Sequence, residues 1–191
     1  MVQVIIPISS DSKYFPEEEY FFPKPLINID GSPMILKVLN NLENYLRISK
    51  YIFVLPTELS TKYTLDKIIS LNTEIPCEFV FKRGNTNGAL CSVMLGLDKI
   101  NDYEEIVISN MDEIISYDLG KILDFFKLKE SYAGLISFES NHPRQCYLDI
   151  GKNSEVEYCA EKKVISKNAS AGFYYFKNKQ FFYEAAENSL L

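Results

Sequence analysis

The 191-residue sequence lacks the metal-binding and disulfide patterns that hold many small domains together. It contains one histidine, His142, and its four cysteines, Cys77, Cys91, Cys146 and Cys159, form no CxxC pair. A structural zinc site is therefore not expected. Because a disulfide framework would be denser in cysteine, we expect four reduced cysteines that belong to the core.

A block of lysines and arginines is missing as well. The 20 Lys and Arg residues are outnumbered by 26 Asp and Glu residues, which gives a net charge of −6 and a pI near 5.0. We therefore expect no nucleic-acid partner, because binding along a nucleic-acid backbone needs clustered positive charge. Small phosphates can still bind to a few cations and backbone amides.

No apolar run approaches the length of a membrane span, and the first segment, MVQVIIPISS, is too short and uncharged for a signal peptide. We expect a cytoplasmic protein with no membrane partner. The sequence does not indicate the oligomeric state.

The apolar pattern alternates between strand and helix, and 47% hydrophobic residues are sufficient for one core. Apolar runs predict strands at 2–8, 51–56, 77–82, 104–110, 132–140 and 171–178, with a hairpin at 145–163. Helical spacing predicts helices at 33–47, 59–71, 89–100, 118–129 and 179–191. Ser32 is expected to cap the first helix, with Pro33 in its first turn.

This alternation predicts a single α/β domain over residues 1–191, with a mainly parallel central sheet, helices on both faces and a β-hairpin insertion. In open sheets of this kind, ligands bind at the carboxyl ends of the strands. Three loops fall there, at 8–31, 83–88 and 109–113, and these loops are the candidates for function.

The first candidate loop contains Lys24 between Pro23 and Pro25. The prolines fix the backbone on both sides, so the lysine has a preset direction that suits contact with a phosphate. The alternative is a solvated lysine in an extended loop.

The other two loops carry an amide-rich helix start and a carboxylate. In GNTNG, Asn85 or Thr86 can cap the following helix, and Gly88 allows a ligand to approach the backbone; the alternative is an ordinary capped helix. Asp112 follows the fourth strand, where a carboxylate can hold Mg²⁺. The alternative for Asp112 is an acidic residue that simply terminates a strand.

Five segments of the sequence, taken together, resemble the sugar-1-phosphate nucleotidylyltransferases, which include glucose-1-phosphate thymidylyltransferase. These segments are VIIP, FPKPLINIDGSPMI, GNTNGALCSVMLGLDKI, EEIVISNMDEII and AEKKVISKNASAGFYYF. The resemblance covers almost the whole chain in the family's order and is nearest to enzymes of capsule or surface-polysaccharide synthesis. It implies the nucleotide-diphospho-sugar transferase fold, which is Rossmann-like and of the GT-A type.

The resemblance also implies the reaction and its residues. A nucleoside triphosphate and a sugar 1-phosphate would react with the help of Mg²⁺, and pyrophosphate would leave. Lys24 would contact the phosphates at the reacting centre, and Asp112 would bind the metal. The other implied contacts are Ser10, Ser12, Lys13, Asn85, Thr86 and Gly88 for the nucleotide, and Glu161, Lys162 and Gly172 for the sugar phosphate. Without the resemblance, Glu161 and Lys162 would be read as part of a solvated turn.

Two departures from the family pattern keep other functions open. The family's first loop is usually G-x-G-x-R, whereas Ser9 to Phe15 contains no glycine and places Tyr14 at the position of the arginine. Lys13 can partly replace that charge, but Asp11 has the wrong sign for a triphosphate.

The second departure is at the chain end, because the family supplies a second metal-binding aspartate after the last helix predicted here. The chain would then be C-terminally truncated relative to the family, or Glu113 or Asp149 would substitute. A nucleotide- or sugar-phosphate-binding regulatory domain is therefore the alternative to an active enzyme. A GT-A glycosyltransferase is third, because NMDE contains one of the two aspartates of its Asp-x-Asp motif.

Overall fold

The computed structural model describes residues 1–9, 15 and 19–190, and these residues form ten strands and six helices. The strands are β1 (Val2–Pro7), β2 (Asn28–Ile29), β3 (Ser32–Pro33), β4 (Ile48–Pro56), β5 (Cys77–Lys82), β6 (Glu105–Ser109), β7 (Ala133–Glu139), β8 (Cys146–Ile150), β9 (Val156–Glu161) and β10 (Asn168–Phe176). The helices are α1 (Met34–Glu43), α2 (Thr57–Tyr63), α3 (Leu65–Leu71), α4 (Ala89–Met94), α5 (Leu119–Leu128) and α6 (Lys179–Leu190).

Eight of the strands form one sheet, whose order is β5-β4-β1-β6-β10-β8-β9, with β7 paired to β10. The four strands β5, β4, β1 and β6 are parallel, and β10 joins β6 in the antiparallel direction. Strands β8 and β9 form the predicted hairpin at one edge. The predicted α/β class is confirmed, and the parallel strands place their carboxyl ends along one side of the molecule.

Two apolar cores cover the two faces of this sheet, because successive side chains of a strand point in opposite directions. Val4 and Ile6 of β1 belong to the larger core with helices α1, α2, α3 and α5. Ile5 of the same strand belongs to the smaller core with α4 and α6. The helices on both faces bury most of β1, β4 and β6, whereas the edge strand β5 is only partly buried.

The first helix begins differently from the prediction. Ser32 does not cap it; Pro33 occupies the N-cap position with extended φ and ψ of −53° and 140°. Ser32 and Pro33 instead pair with Asn28–Ile29 in a two-stranded ribbon. The helix is also shorter than the predicted range 33–47, because it ends at Glu43.

Two further predicted helices are each divided in the structure. The range 59–71 contains α2 and α3, which meet at Thr64 in the left-handed conformation, with φ of 51° and ψ of 36°. The range 89–100 contains α4 and then a 3₁₀ turn, Leu97–Lys99. Apolar spacing continues through both divisions, so the spacing alone predicts one helix each time.

The four cysteines are unpaired, but they do not belong to the core as expected: Cys77, Cys91 and Cys146 are partly buried, and Cys159 is exposed on β9. Within the described ranges, no helix is long and apolar enough to cross a membrane.

Candidate active site

The carboxyl ends of β1, β5 and β6 open onto one cavity of about 420 Å³. Residues from all three candidate loops line it, as the topology predicts. The described lining residues are Pro7, Ile8, Ser9, Lys24, Lys82, Asn85, Thr86, Gly88, Ala89, Ser92, Asn110, Met111 and Asp112.

Lys24 is held at the cavity by the backbone on both sides of it. Pro23 is extended, and Lys24 begins a 3₁₀ turn that is closed by a 2.8 Å hydrogen bond from the Leu26 amide to the Pro23 carbonyl. Pro25 is buried, so the turn is anchored beneath the lysine. The lysine side chain is 18% exposed and points to the loop after β6.

Asp112 is positioned by the residues before it. Strand β6 is apolar and buried, and Met111, which is also buried, belongs to the larger core and anchors the loop after the strand. Asp112 follows Met111 with its side chain 30% exposed, and it forms an ion pair with Lys24 through Nζ and Oδ2. This contact joins two loops that are 88 residues apart in sequence.

Next to Asp112, polar contacts connect the loop after β6 to β10. The side-chain amide of Asn110 donates to Oε1 of Glu113 at 2.9 Å, and the backbone amide of Asn110 donates to the carbonyl of Gly172 at 2.9 Å. Burial raises the pKa of the Glu113 carboxyl, and the nearby charge of Asp112 raises it further. The hydrogen bond from Asn110 and the charge of Lys24 oppose this shift.

Gly172 is part of this contact and does not line the cavity. It is buried with φ of +65°, and a Cβ built on it would lie 2.2 Å from Nδ2 of Asn110 and 2.5 Å from Oε2 of Glu113. Only glycine fits there, because both the conformation and the close approach exclude a side chain. The predicted contact of Gly172 with a sugar stays a prediction.

The loop at 83–88 presents backbone and hydroxyl groups to the cavity. Neither Asn85 nor Thr86 caps α4, because the N-cap position is occupied by Gly88 and no side chain caps it. The hydroxyl of Thr86 instead lies 2.6 Å from that of Ser92. A Cβ added to Gly88 would project into open space, so the glycine leaves room at the cavity wall.

Lys82 is a cavity residue that the sequence reasoning missed. It ends β5 and is only 6% exposed, although it is a lysine. Its position could have been recognised from the strand pattern, because it follows Val80 on the same face of β5 and that face packs against the smaller core.

The remaining predicted residues lie apart from the cavity or outside the described ranges. Glu161 and Lys162 are exposed at the end of β9 and pair with each other at 2.7 Å; they are not among the described residues that line the cavity. Their contact with a sugar phosphate stays a prediction. Ser10, Ser12 and Lys13, like Asp11 and Tyr14, lie outside the residues that the structure describes.

The residues at the cavity fit a magnesium ion that is shared with a substrate. Within the described part of the chain, no group of three or more His, Cys, Asp or Glu side chains could hold a metal ion by itself. The Asp112 carboxylate nevertheless faces the cavity, and Mg²⁺ is commonly held by one or two carboxylates together with substrate phosphates and water. Glu113 follows Asp112 but is turned toward Asn110, and Asp149 is exposed on β8; neither is among the described residues that line the cavity.

The fold and this cavity define a nucleotide-diphospho-sugar transferase architecture, and the sequence comparison identifies the family. The profile of the family described as "Nucleotidyl transferase" matches residues 20–190. The chain therefore belongs to the nucleotidyl transferase family and is a nucleotidyltransferase. No curated protein matches the chain in sequence. The family match favours nucleotidyl transfer over glycosyl transfer.

Solved structures with the same fold cover 94–100% of this chain. A nucleoside-diphosphate-sugar pyrophosphorylase from Vibrio cholerae RC9 has a TM-score of 0.78 and 18% identity, covering 100% of this chain and 78% of its own. A protein assigned as a glucose-1-phosphate thymidylyltransferase from Bacillus anthracis, in complex with sucrose, has a TM-score of 0.78 and 16% identity, covering 98% and 75%.

HddC from Yersinia pseudotuberculosis, complexed with GMP-PN, has a TM-score of 0.71 and 19% identity, and the match covers 94% of this chain and 78% of HddC. At these identities the three similarities establish the fold, and the substrates of this chain have to be argued from its own residues.

Proposed function

We propose that the protein transfers a nucleoside monophosphate from a nucleoside triphosphate to a sugar 1-phosphate, with release of pyrophosphate. The observation that carries the proposal is the Lys24–Asp112 pair at the mouth of a nucleotide-sized cavity in a nucleotidyl transferase fold. The product would be a nucleotide sugar for a surface polysaccharide such as a capsule. A cytoplasmic location belongs to the same proposal and is supported by the four unpaired cysteines.

The reaction is a substitution at the α-phosphorus. An oxygen of the sugar 1-phosphate forms a new bond to the α-phosphorus, the bond from that phosphorus to the bridging oxygen breaks, and pyrophosphate leaves with the electron pair. No covalent intermediate with the protein is needed, so the side chains act by positioning the phosphates and neutralising their charge.

Lys24 and Asp112 would have different roles in positioning the phosphates and neutralising their charge. The ammonium of Lys24 would contact phosphate oxygens, and the 3₁₀ turn at Lys24–Leu26 fixes its direction. The carboxylate of Asp112 would bind Mg²⁺, which supplies further positive charge at the reacting phosphates when it is bound. In the absence of substrate the two side chains neutralise each other.

The nucleoside would lie along the loop at 83–88. Gly88 leaves the cavity wall open, and the backbone and polar side chains of Asn85 and Thr86 face the same space. Ser10, Ser12 and Lys13 would contact the phosphates from the first loop, and Glu161, Lys162 and Gly172 would serve the sugar phosphate. These last assignments rest on the resemblance in sequence.

A pyrophosphate-release screen tests the proposal. The purified protein is incubated with Mg²⁺, one of five triphosphates (ATP, GTP, CTP, UTP or dTTP) and a panel of sugar 1-phosphates. We expect release with at least one pair, and we expect Asp112→Asn to abolish it. The matched control is Asp124→Asn, which should retain the rate, because Asp124 is exposed on α5 near the amino end of β1.

The first loop favours one alternative function. Its sequence, SSDSKYF, contains an aspartate and no glycine where a triphosphate would be wrapped, which is compatible with a domain that binds a nucleotide without turnover. No release from any pair would refute the catalytic proposal. Thermal stabilisation by a nucleotide in that case would support the binding domain.

A further inference from the structure

Lys82 is a buried cation that the proposed reaction does not use. Lys82 lines the cavity, and the residue is 6% exposed. Its backbone carbonyl accepts a 3.2 Å hydrogen bond from the Thr57 hydroxyl, which fixes the end of β5. For its ammonium, the described residues provide neither a hydrogen-bond acceptor nor an ion-pair partner.

The ammonium nitrogen of Lys82 is not among the fully buried, unpaired polar atoms of the described residues, so it opens onto the cavity. A ligand that displaces water from this part of the cavity has to supply an acceptor, because a desolvated charge without one is strongly unfavourable. Other lysines of the molecule follow this rule: Lys50, whose side chain is 14% exposed, pairs with Glu78 at 2.8 Å. Since Lys82 borders an open cavity, a bound ligand is the natural source of its acceptor.

The place of Lys82 in the sheet shows which part of a nucleotide it would meet. In the strand order β5-β4-β1-β6, the end of β5 is two strands from β1 and three from β6. At about 4.8 Å between neighbouring strands, Lys82 starts roughly 10 Å and 14 Å from those strand ends. Asp112 follows β6 and pairs with Lys24, so this pair and Lys82 lie toward opposite ends of the cavity, and phosphates held by the pair would be far from Lys82.

The lining at the Lys82 end is neutral and suits a planar base. It includes Gly88, Ala89 and the hydroxyls of Thr86 and Ser92, which lie 2.6 Å apart. Among the described lining residues, Asp112 is the single carboxylate, and it lies at the phosphate end. A lysine here carries three donors and no acceptor, so it can pair with a carbonyl oxygen but not with an amino group.

We propose that Lys82 donates a hydrogen bond to the exocyclic carbonyl of the nucleotide base and thereby selects keto bases over amino bases. The selected class is O6 of guanine-type purines or O4 of uracil and thymine, at the position where adenine and cytosine carry an amino group. This inference rests on the proposed function, because it requires a nucleotide with its phosphates at Lys24 and Asp112.

Two matched pairs of triphosphates test it by equilibrium calorimetry with Mg²⁺ and without a sugar phosphate. Inosine triphosphate and ATP differ at the purine 6 position, and UTP and CTP differ at the pyrimidine 4 position. In the pair whose ring the cavity accepts, we expect the keto nucleotide to bind about tenfold more tightly or better, as for a hydrogen bond to a charged group.

The variant Lys82→Met keeps the apolar stem and should reduce this preference to less than about threefold. Lys82→Arg, which keeps a cationic donor, should retain part of it, and tripolyphosphate should bind Lys82→Met as tightly as wild type. The matched control is Lys121→Met, because Lys121 is an exposed lysine on α5. Comparable melting temperatures show that the variants are folded.

Three results would overturn the inference. The first is a wild-type protein that binds no nucleotide, and the second is a keto preference that survives Lys82→Met. The third is a loss of tripolyphosphate binding in Lys82→Met as large as its loss of nucleotide binding, which would make Lys82 a phosphate ligand. The calorimetry is independent of turnover. If base selection depends on Lys82 but no pyrophosphate is released, only the catalytic proposal is refuted. If pyrophosphate is released and the base preference is unchanged in Lys82→Met, only this inference is refuted.

Discussion

At the scale of single residues, the Lys24–Asp112 pair is the contact on which the proposed function depends. Each residue is carried by a short loop with a buried anchor beside it, Pro25 for the lysine and Met111 for the aspartate. The anchors belong to the fold and the charges face the cavity, so charge and stability can be changed separately.

The variant Lys24→Ala tests this separation. If Lys24 neutralises charge at the reacting phosphates, kcat/KM should fall about 10²- to 10³-fold, the size of the effect of removing one preorganised donor. The loss of a partly exposed ion pair should cost the fold little, so the melting temperature should change by no more than a few degrees. A variant that melts far lower and binds nothing would show that Lys24 is structural.

A second residue-scale prediction concerns Gly172. The variant Gly172→Ala places a methyl group against Asn110 and Glu113 in a left-handed conformation, and we expect a loss of at least about 3 kcal/mol from strain and overpacking together. Gly31→Ala is the control: its φ is +84°, but nothing lies within 4 Å of the added Cβ.

Gly31→Ala should therefore cost only about 1 kcal/mol from the backbone conformation. Chemical denaturation of both variants gives the two free energies. Equal losses would mean that crowding at Gly172 contributes nothing.

Glu113 gives a prediction about pH. Burial raises the pKa of its carboxyl above the ordinary value of 4.5, so the folded protein keeps the proton at a pH where the unfolded chain has released it. Stability is therefore lost as the pH rises from about 4.5 through the folded-state pKa.

In the variant Glu113→Gln, this loss should be absent. The difference in melting temperature between Glu113→Gln and wild type should grow with pH across that window and then stay constant. Exposed Glu74 provides the control Glu74→Gln, whose difference from wild type should not follow the same curve. A difference that shrinks as the pH rises would reverse the sign of the assignment.

The sequence could predict those site residues that have a local signature. Lys24 between prolines, Gly88 before a helix and Asp112 after an apolar strand are all visible in short stretches. The contact of Gly172 with Asn110 and Glu113 was not predicted, because it depends on the packing of segments that are distant in the chain. Lys82 was missed although its alternation with Val80 in β5 indicates the face on which it lies.

At the scale of elements, the accuracy of the prediction differed from one strand or helix to the next: β2 and β3 were missed, whereas α5 differs from its predicted range by one residue at each end. Strand β5 matches its predicted range at both ends, since a continuous apolar run between polar residues has visible limits. Helix ends depend on single residues: Pro33 displaced the expected cap at Ser32, and Thr64 divides one predicted helix into two.

The division at Thr64 gives an element-scale prediction. Threonine is β-branched and disfavours the left-handed conformation that it adopts here, whereas asparagine tolerates it. The variant Thr64→Asn should stabilise the fold by about 0.5–1 kcal/mol, measured as a higher denaturation midpoint. Thr61→Asn, within α2, is the control and should give no gain, and a loss at position 64 would show that Thr64 is not strained.

At the scale of the whole molecule, one sheet separates two cores of unequal size. The smaller core contains Phe182 and Ala186 of α6 with Ile5 and Val93, so the helix near the end of the chain covers the strand at its beginning. Because β1 contributes to both cores, we expect them to unfold together in a single transition.

The variant Phe182→Ala tests this coupling. Removing a fully buried phenylalanine should cost about 3–5 kcal/mol. Tyr183, its exposed neighbour, provides the control Tyr183→Ala, which should cost less than about 1 kcal/mol. Tyrosine fluorescence and far-ultraviolet circular dichroism should report the same midpoint in each variant, and separate midpoints would show that the cores unfold independently.

The strand order also has a consequence for synthesis on the ribosome. Strand β1 emerges before both of its neighbours, which are β4, at Ile48–Pro56, and β6, at Glu105–Ser109. At roughly 5–20 residues per second, seconds to tens of seconds pass before both neighbours exist. Val2–Pro7, whose side chains are almost all buried in the finished protein, is without both partner strands for that interval, so we expect a nascent-chain chaperone to bind this apolar segment.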